Sequence, residues 1–357
     1  MSGLFLAGLT ILSYARARSS DPGLTTEVAL LVTFLLGGLA IERPALASGL
    51  AVTVAVLLAS RTWLHRFSSN ILSEREVHDA LVFAAAALVI LPLVPNHPVG
   101  PFGVLNPHVL WRLVVLVMAI SGAGYVAVRV LGPRHGLPIA GFASGFVSST
   151  ATIATLGGRA RNEPALCGAA AAGAVLSTVA TVVQLAIVLL AVRLSVLEAM
   201  TWPLVFAGLT AVAYGAVVAW RAARGSRPSK TAGEAERSGR AFDLRTALLF
   251  PAVVSIVLFV SAIATERLGR AGLVTATGLA GLADAHAGAI SAASLVVSGR
   301  ISSGEAVVPI LAGLSTNTAS KILVALTTGS RAFALVTIPG MVLVLLAAWS
   351  GYFVGAR

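Results

Sequence analysis

The sequence predicts an all-α fold, a polytopic bundle of transmembrane helices. Hydrophobic residues make up 57% of the chain and charged residues only 11%, whereas soluble globular domains carry about 25% charge. Apolar runs that suit the ~30 Å hydrocarbon core of a bilayer recur along the whole length. These runs are continuous and do not alternate, which favours helices over a β-barrel. We expect about 10–12 membrane segments of roughly twenty residues each.

The charge distribution indicates a lipid bilayer as partner. The net charge is +11, and the basic residues lie mainly in short connections between apolar runs. This pattern is typical of residues that set membrane topology next to anionic lipid. No nucleic-acid-binding motif accompanies the charge, so we expect no nucleic acid partner. The single cysteine, Cys167, excludes an internal disulfide and a cysteine-based metal site.

The N-terminal part of the chain predicts short helices followed by a surface segment. We assign residues 1–60 to N-terminal helices and residues 61–357 to the main membrane domain. An amphipathic stretch of mixed charge, Arg61–Asp79, is expected to lie along the membrane surface. The apolar elements around this stretch are Gly3–Ala15, Val28–Ile41, Ala45–Ser60 and Ala80–Val94.

The remainder of the chain predicts further apolar segments and one long polar loop. The loop Arg221–Arg245 is strongly basic and contains Gly, Ser and Pro, so we expect it to be flexible and cytoplasmic. It joins two repeat-like halves, residues 137–222 and 246–354. The apolar segments are Val109–Leu131, Leu137–Gly158, Pro164–Val192, Val196–Trp220, Thr246–Thr265, Ala271–Ser298, Ala306–Leu326 and Ala332–Val354.

The charges of two loops and the number of apolar segments between them predict that one of these segments does not cross the membrane. The loop Asn96–His108 has no Lys or Arg and should lie outside, whereas Arg221–Arg245 should lie inside. Strict alternation of the spans between them would place both loops on the same face. The segment Leu137–Gly158 has basic flanks and a centre rich in Gly and hydroxyl residues. We therefore predict that it is a re-entrant or broken helix, which is tolerated where it is buried in protein or lines a cavity.

A second broken helix is predicted because two regions of the chain resemble each other. The run from Gly141 and the later Leu176-Ser-Thr parallel the run from Gly278 and the later Leu314-Ser-Thr. An inverted repeat would place a substrate site where the two discontinuous helices meet. The alternative explanation is that helices rich in small residues look alike by composition.

Four polar residues near the C-terminus interrupt sequence that otherwise has membrane character: Asp284, His286, Asn317 and Lys321. Ionisable groups in a membrane are costly and by default mark a functional site. Asp284 is either a protonatable or cation-binding carboxylate or a structural acid paired with Lys321. Lys321 lies one helical turn after Asn317 on the same face; alternatively, it extends towards the membrane interface.

His286 and a group of hydroxyl residues complete the candidate binding residues. On an intact helix His286 would point away from Asp284, whereas in an unwound segment the two would share a face. A lone histidine is also common as a packed polar group, and no second histidine lies at metal-ligand spacing, so the metal stays unassigned. The hydroxyl residues, which either replace an ion's hydration shell or join helices by ordinary hydrogen bonds, are Ser148, Ser149, Thr150 and Thr152.

Three motifs together resemble a known family: Gly145-Phe-Val-Ser-Ser-Thr-Ala151, Gly281-Leu-Ala-Asp284-Ala-His286 and Asn317-Thr-Ala-Ser-Lys321. Their order is similar to that in the large C-terminal membrane domain of bacterial MgtC/SapB-type proteins. The resemblance implies a multi-pass protein of the bacterial inner membrane that is associated with magnesium or other ion transport. Two departures are that His286 stands where the family commonly has a second acid, and that most of the N-terminal MgtC portion is absent.

The leading hypothesis is a secondary transporter or ion-translocating protein that is coupled to protons or cations. Asp284 would be the protonation or cation site, Lys321 its switchable partner, and Asn317 with the hydroxyl residues the polar lining. One acid beside one base fits a proton or a monovalent cation better than a magnesium cage, which needs oxygen ligands and retained waters.

Two other classes of function stay open at this point. The chain is alternatively a non-transporting regulatory or structural membrane protein, or, third, an intramembrane enzyme. We assign no catalytic residues and no cofactor, because neither a nucleophile motif nor a phosphate-binding loop is present. The expected partners are the bilayer and a small ion or solute, and a homo-oligomer is compatible with the pattern.

Overall fold

The computed structural model describes residues 25–59, 73–97, 99, 106–131, 136–225 and 244–355. The predicted element Gly3–Ala15 lies outside these residues, as do most of Arg61–Asp79 and most of the loops Asn96–His108 and Arg221–Arg245. The chain forms two compact units, one up to Val77 and one from His78 onwards.

The described residues are helical, with no β-strand among them, and this confirms the predicted all-α class. Seven of their helices are long and apolar enough to cross a membrane. In chain order the helices are α1 (Thr25–Glu42), α2 (Pro44–Ala59), α3 (Glu74–Ala84, continued by the π-helical Ala85–Ile90 and by Leu91–Leu93), α4 (Pro107–Leu131), α5 (Gly136–Asn162), α6 (Cys167–Val192), α7 (Leu194–Gly225), α8 (Leu244–Gly281), α9 (Ala285–Val297), α10 (Ser303–Thr328) and α11 (Arg331–Gly355).

Helix α5 is broken at Ser148 and folds back on itself; we call it hairpin 1. Ser148 has extended backbone angles, φ −166° and ψ 110°, between two helical limbs. The hydroxyls of Ser144 and Thr152, on either side of the break, are 3.1 Å apart. In a continuous helix two residues eight apart would be separated by about 12 Å. The break predicted in this segment is therefore confirmed.

The contacts of hairpin 1 with α6 give the direction of each limb. Before the break, a Cβ on Gly145 would lie 2.7 Å from the carbonyl oxygen of Ser177, so the two backbones touch. After the break, Leu156 lies against Gly173, which is one turn earlier in α6. The first limb thus runs parallel to α6 and the second limb returns along it.

Helix α8 turns sharply at Gly269. This glycine has a positive φ of 58°, a conformation that glycine adopts without steric cost. A Cβ on Gly272 would collide with the carbonyl oxygen of Ala264, so the chain reverses at this point. Residues 244–268 therefore form one helical segment, and residues 270–281 begin another.

Residues 270–281 of α8, the turn Leu282–Asp284 and α9 form a second helical hairpin, which we call hairpin 2. The first limb packs closely on α10, since a Cβ on Gly281 would collide with the carbonyl oxygen of Gly313. The second limb returns beside the first, because a Cβ on Gly288 would lie 3.0 Å from the carbonyl oxygen of Thr277. The segment Ala271–Ser298 is thus broken, as the sequence predicted.

Hairpin 1 with α6 and hairpin 2 with α10 make the same contacts at a constant shift along the chain. Gln184 Nε2 donates to the carbonyl oxygen of Phe146 at 2.8 Å, and Ser320 Oγ donates to that of Leu282 at 2.9 Å. Each pair is 38 residues apart, and the step from 146 to 282 equals that from 184 to 320, namely 136. The same shift carries the limits of α6, 167–192, onto those of α10, 303–328.

The last helices of the two halves, α7 and α11, pack antiparallel against each other. Tyr214 in α7 donates its hydroxyl to the carbonyl oxygen of Val336 in α11 at 2.7 Å. At the other end of the pair, Gly351 in α11 lies against the backbone of Trp202 in α7. The largest buried apolar cluster joins these two helices to α6, α9 and α10.

Cysteines that replace Ser144 and Thr152 are expected to form a disulfide, because their hydroxyls are in contact across hairpin 1. The background is Cys167→Ser, which removes the single native thiol. Free thiols counted with a maleimide after mild oxidation should fall to none. A control pair that is also eight residues apart, Thr178→Cys with Ala186→Cys, lies on the unbroken α6 and should keep both thiols. Equal labelling of the two pairs would contradict the hairpin.

Gly281→Ala should destabilise the protein, whereas Gly278→Ala one turn earlier should not. A methyl group at 281 collides with backbone of α10, but at 278 its nearest neighbours are 4.0 Å away. Overpacking of this kind costs about 1–3 kcal/mol, while alanine in place of a helical glycine stabilises by up to about 1 kcal/mol. Thermal unfolding of the two purified variants in detergent measures the difference, and equal midpoints would refute the close approach of hairpin 2 to α10.

Candidate functional site

Three hydrogen-bonded polar side chains join the two halves at the centre of the candidate site. Lys321 in α10 is buried, with 3% of its surface exposed. Its Nζ donates to Thr181 Oγ1 in α6 at 3.0 Å, and Thr181 donates to Ser149 Oγ at 2.9 Å. Ser149 follows the break in hairpin 1 directly, so this chain connects Lys321 to the tip of hairpin 1.

Asp284 lies at the tip of hairpin 2 and caps the N-terminus of α9. Its backbone is extended, and its Oδ1 accepts the backbone N–H of His286 at 3.1 Å. The same oxygen is 2.8 Å from His286 Nδ1. The two side chains share a face because the helix is interrupted between them, as the sequence analysis expected for an unwound segment. The other ring nitrogen, Nε2, is buried and has no hydrogen-bond partner within the part of the chain that the structure describes.

Asp284 and Lys321 are near each other without forming a direct ion pair. Ser320, next to Lys321, donates to the carbonyl of Leu282, two residues before Asp284, but the contact of Asp284 within salt-bridge distance is the one with His286. The nearest hydrogen-bond partner of Lys321 is the neutral hydroxyl of Thr181. The simplest structural interpretation of the two residues, a closed pair that locks two helices, therefore lacks a supporting contact.

Asn317 lies one helical turn before Lys321 and is 6% exposed. Among the described residues its side chain makes no hydrogen bond, although buried carboxamides normally have a partner. Residues at this spacing share a helix face, so the amide of Asn317 is directed towards the same space as the ammonium of Lys321. This unpaired amide is therefore a group that a bound molecule would satisfy.

The predicted hydroxyl residues divide between the hairpin and the site. Ser148 Oγ accepts the backbone N–H of Ala151 at 3.2 Å and so caps the second limb. Thr152 bonds to Ser144 and to the carbonyl oxygen of Ser148, which holds the two limbs together. Ser149 faces Thr181, as described above, and Thr150 is half-buried at the same tip.

Sequence reasoning missed Thr181, the residue that links Lys321 to hairpin 1. A threonine within the apolar α6 carries no signal by itself, because threonine is common at contacts between membrane helices. The shift of 136 residues does single it out, since it places Thr181 on Asn317. The same shift places the buried Leu185 on Lys321, so the ammonium has no counterpart in the first half.

The fold and the apolar helices define a multi-pass helical membrane protein. The family model described as "Domain of unknown function (DUF4010)" matches residues 115–329, which include both hairpins and the site. The chain belongs to this family, whose domain is uncharacterised. No curated protein matches the chain, and no solved structure matches it. The resemblance to MgtC/SapB-type proteins stays an expectation.

Thr181→Val should destabilise the protein more than Thr178→Val, one turn away in α6. The first change leaves the buried Lys321 ammonium without its hydrogen-bond partner, a loss of about 1.5–3 kcal/mol for a charged group. The second removes only a bond to a carbonyl of the same helix. Thermal unfolding in detergent should separate the two variants. A Thr178→Val midpoint at or below that of Thr181→Val would show that Lys321 does not depend on Thr181.

Proposed function

We propose that the protein is a secondary transporter or ion-translocating protein of the bacterial inner membrane, coupled to protons or monovalent cations. The observation that carries the proposal is the position of an acid and a base, Asp284 and Lys321, beside the tips of two broken helices. Intramembrane ionisable residues and discontinuous helices are typical of ion and substrate pathways. A bundle that only spans the bilayer needs neither, because unbroken apolar helices satisfy their own backbone.

An inverted repeat is part of this proposal. Between the loop ending at His108 and the basic loop, α4, α6 and α7 each cross the membrane, while hairpin 1 enters and leaves on one side. Three crossings agree with an outer first loop and an inner basic loop, so hairpin 1 enters from the cytoplasm. The segment 244–268 then crosses outward, and hairpin 2 enters from the opposite side. The recurrence of the contacts of hairpin 1 at a shift of 136 residues supports this symmetry.

Asp284 is the coupling residue in this mechanism. Its carboxylate holds the N-terminus of α9 and the His286 ring, so protonation or cation binding there alters the tip of hairpin 2 directly. Among the described residues no group of three His, Cys, Asp or Glu side chains is placed to hold a metal ion. A single carboxylate suits a proton or monovalent cation better than Mg²⁺, which binds to oxygen ligands in a strict octahedral geometry.

Each hairpin separates the site from one side of the membrane. Hairpin 1 lies between Thr181 and the cytoplasmic face, and hairpin 2 lies between Asp284 and the outer face. Movement of one tip away from its helix would open the site to that side, while the other tip keeps it closed. This arrangement provides alternating access about a fixed central site.

Asp284→Asn should abolish transport in a protein that still folds. Asparagine caps a helix as well as aspartate does, so the change removes the charge and keeps the bond to His286 N–H. Current should be recorded from purified protein on a solid-supported membrane, with jumps of cations, anions and pH. We expect the peak current to fall about tenfold or more, which corresponds to at least about 1.4 kcal/mol.

Glu305→Gln is the matched control for this experiment. Glu305 also sits at a helix start, in a capping box with Ser302, and glutamine preserves a capping box. Its current should equal that of the native protein. Silence under every gradient, with all proteins monodisperse, would refute transport and favour the regulatory or structural class. Turnover of a lipid or soluble substrate without a gradient would favour an enzyme.

A further inference from the structure

The hydrogen bonds at the two tips leave several donors free and engage the carbonyl oxygens of Phe146 and Leu282. Breaking a helix frees backbone carbonyls, and in many ion sites such carbonyls replace the water around a cation. Here the carbonyl oxygen of Phe146 accepts from both Ser121 and Gln184. At hairpin 2, that of Leu282 accepts from Ser320. These two carbonyls are therefore already bonded to side chains.

The carbonyl oxygen of Gly278, in the first limb of hairpin 2, is also bonded to a side chain. It accepts from Thr316 Oγ1 at 2.6 Å, one turn before Ser320 in α10. Two hydroxyl groups that are one turn apart on α10 thus donate to two carbonyl oxygens that are one turn apart at this end of hairpin 2. A cation that used these backbone carbonyls as ligands would have to displace these bonds, whereas an anion would not.

The ammonium of Lys321 has donors to spare. It carries three N–H donors and no acceptor, and its one hydrogen bond within the described part of the chain goes to the neutral Thr181. Asp284 Oδ1, the nearest anionic group on the adjacent tip, is bonded to His286. A buried charge without an anionic contact is costly. Two N–H donors of Lys321 are therefore free for a ligand.

The chain of hydroxyls from Lys321 also ends in a free donor. Because an ammonium can only donate, Thr181 Oγ1 accepts from Lys321 and must place its own hydrogen on Ser149. Ser149 therefore accepts from Thr181, and its hydrogen points elsewhere. Among the described residues nothing accepts this hydrogen, so a hydroxyl donor at the tip of hairpin 1 is available.

Asn317 is the independent observation that indicates a ligand. Its side chain is 94% buried, given its 6% exposure, and its carboxamide is unpaired in the described part of the chain. Its NH₂ group supplies two more donors beside Lys321. The second limb of hairpin 1 also begins at its tip, and helix N-termini favour negative charge.

From this surplus of donors we infer that the central site binds a small oxyanion, a carboxylate or an inorganic anion of similar size, as the transported substrate. Lys321 is its counter-charge, and Asn317 and Ser149 donate hydrogen bonds to its oxygens. The inference rests on the proposed function, in which Asp284 remains the coupling residue. In this inference the cation or proton binds to Asp284, and the transported oxyanion binds to the hydrogen-bond donors around Lys321.

The test measures anion binding and anion transport separately. Thermal unfolding of the purified protein in detergent is followed with choline salts of acetate, succinate, nitrate, sulfate and phosphate, with choline chloride as reference. Ligands that bind the folded state raise the midpoint in proportion to their saturation. The same salts are then used for concentration jumps on a solid-supported membrane. We expect at least one oxyanion to raise the midpoint and to produce current.

Two variants that should fold identify the site. Lys321→Leu introduces the residue found at the equivalent position 185, and Asn317→Asp supplies Lys321 with an internal anion that occupies the place of the ligand. Each should raise the apparent Kd of the oxyanion about tenfold or more, or 1.4 kcal/mol. Thr318→Val, which removes a hydroxyl of α10 that donates to the carbonyl oxygen of Leu314 in the same helix, is the matched control and should bind the oxyanion as the native protein does.

The outcomes separate this inference from the proposed function. Currents driven by cations or pH alone, with no stabilisation by any oxyanion, would overturn the anion site and leave transport intact. Oxyanion binding that is lost in Lys321→Leu, without any current, would support the site and overturn transport. Oxyanion binding that is unchanged in Lys321→Leu and in Asn317→Asp would place the anion elsewhere and overturn the inference.

Discussion

The constraint on which this structure depends is that every broken helix must find new partners for its backbone. Within a bilayer no water replaces a lost helical bond, so each unpaired carbonyl or N–H costs several kcal/mol. The side chains of Gln184 and Ser320 meet this constraint from the neighbouring helix, at equivalent places in the two halves. In α3 the indole N–H of Trp111 is a second donor to the carbonyl of Ala86 in the π-helical turn, which also accepts the backbone N–H of Leu91. The breaks in the two hairpins are thus tolerated because α6 and α10 carry polar side chains at equivalent positions.

The two halves share a framework but differ in the residues that carry charge. Ser148 and Asp284 both stand at a hairpin tip in extended conformation and cap the following limb. Only Asp284 is ionisable, and Lys321 likewise corresponds to the apolar Leu185. Helix packing and capping need the same residue sizes in both halves, and therefore the framework recurs. In the proposed mechanism a single central site needs each group once, which agrees with the occurrence of the acid and the base in one half.

The sequence predicts the class of fold and the position of the first break because both depend on local properties. Composition and run length determine that the helices are membrane-like, and charge parity requires one segment, Leu137–Gly158, to turn back. The sequence pairs Gly141 with Gly278, whereas the structural shift of 136 residues pairs Gly141 with Thr277. The error of one residue arises because small residues recur in both limbs, so composition alone does not determine the alignment of the two halves. The link through Thr181 and the absence of a direct contact between Asp284 and Lys321 depend on the tertiary arrangement that brings Lys321 of α10 to Thr181 of α6, which local sequence does not reveal.

In the proposed mechanism, the position of Lys321 would allow one bound molecule to affect both hairpins. The lysine belongs to α10, which holds hairpin 2 through Thr316 and Ser320, yet its hydrogen bond reaches α6 and, through Thr181, hairpin 1. A ligand that satisfies the free donors of Lys321 therefore acts on a group that both tips share. If the site were formed by one hairpin alone, ligand binding would not affect the tip of the other hairpin. The bridge between the halves is thus the feature that would make binding and the movement of either tip interdependent.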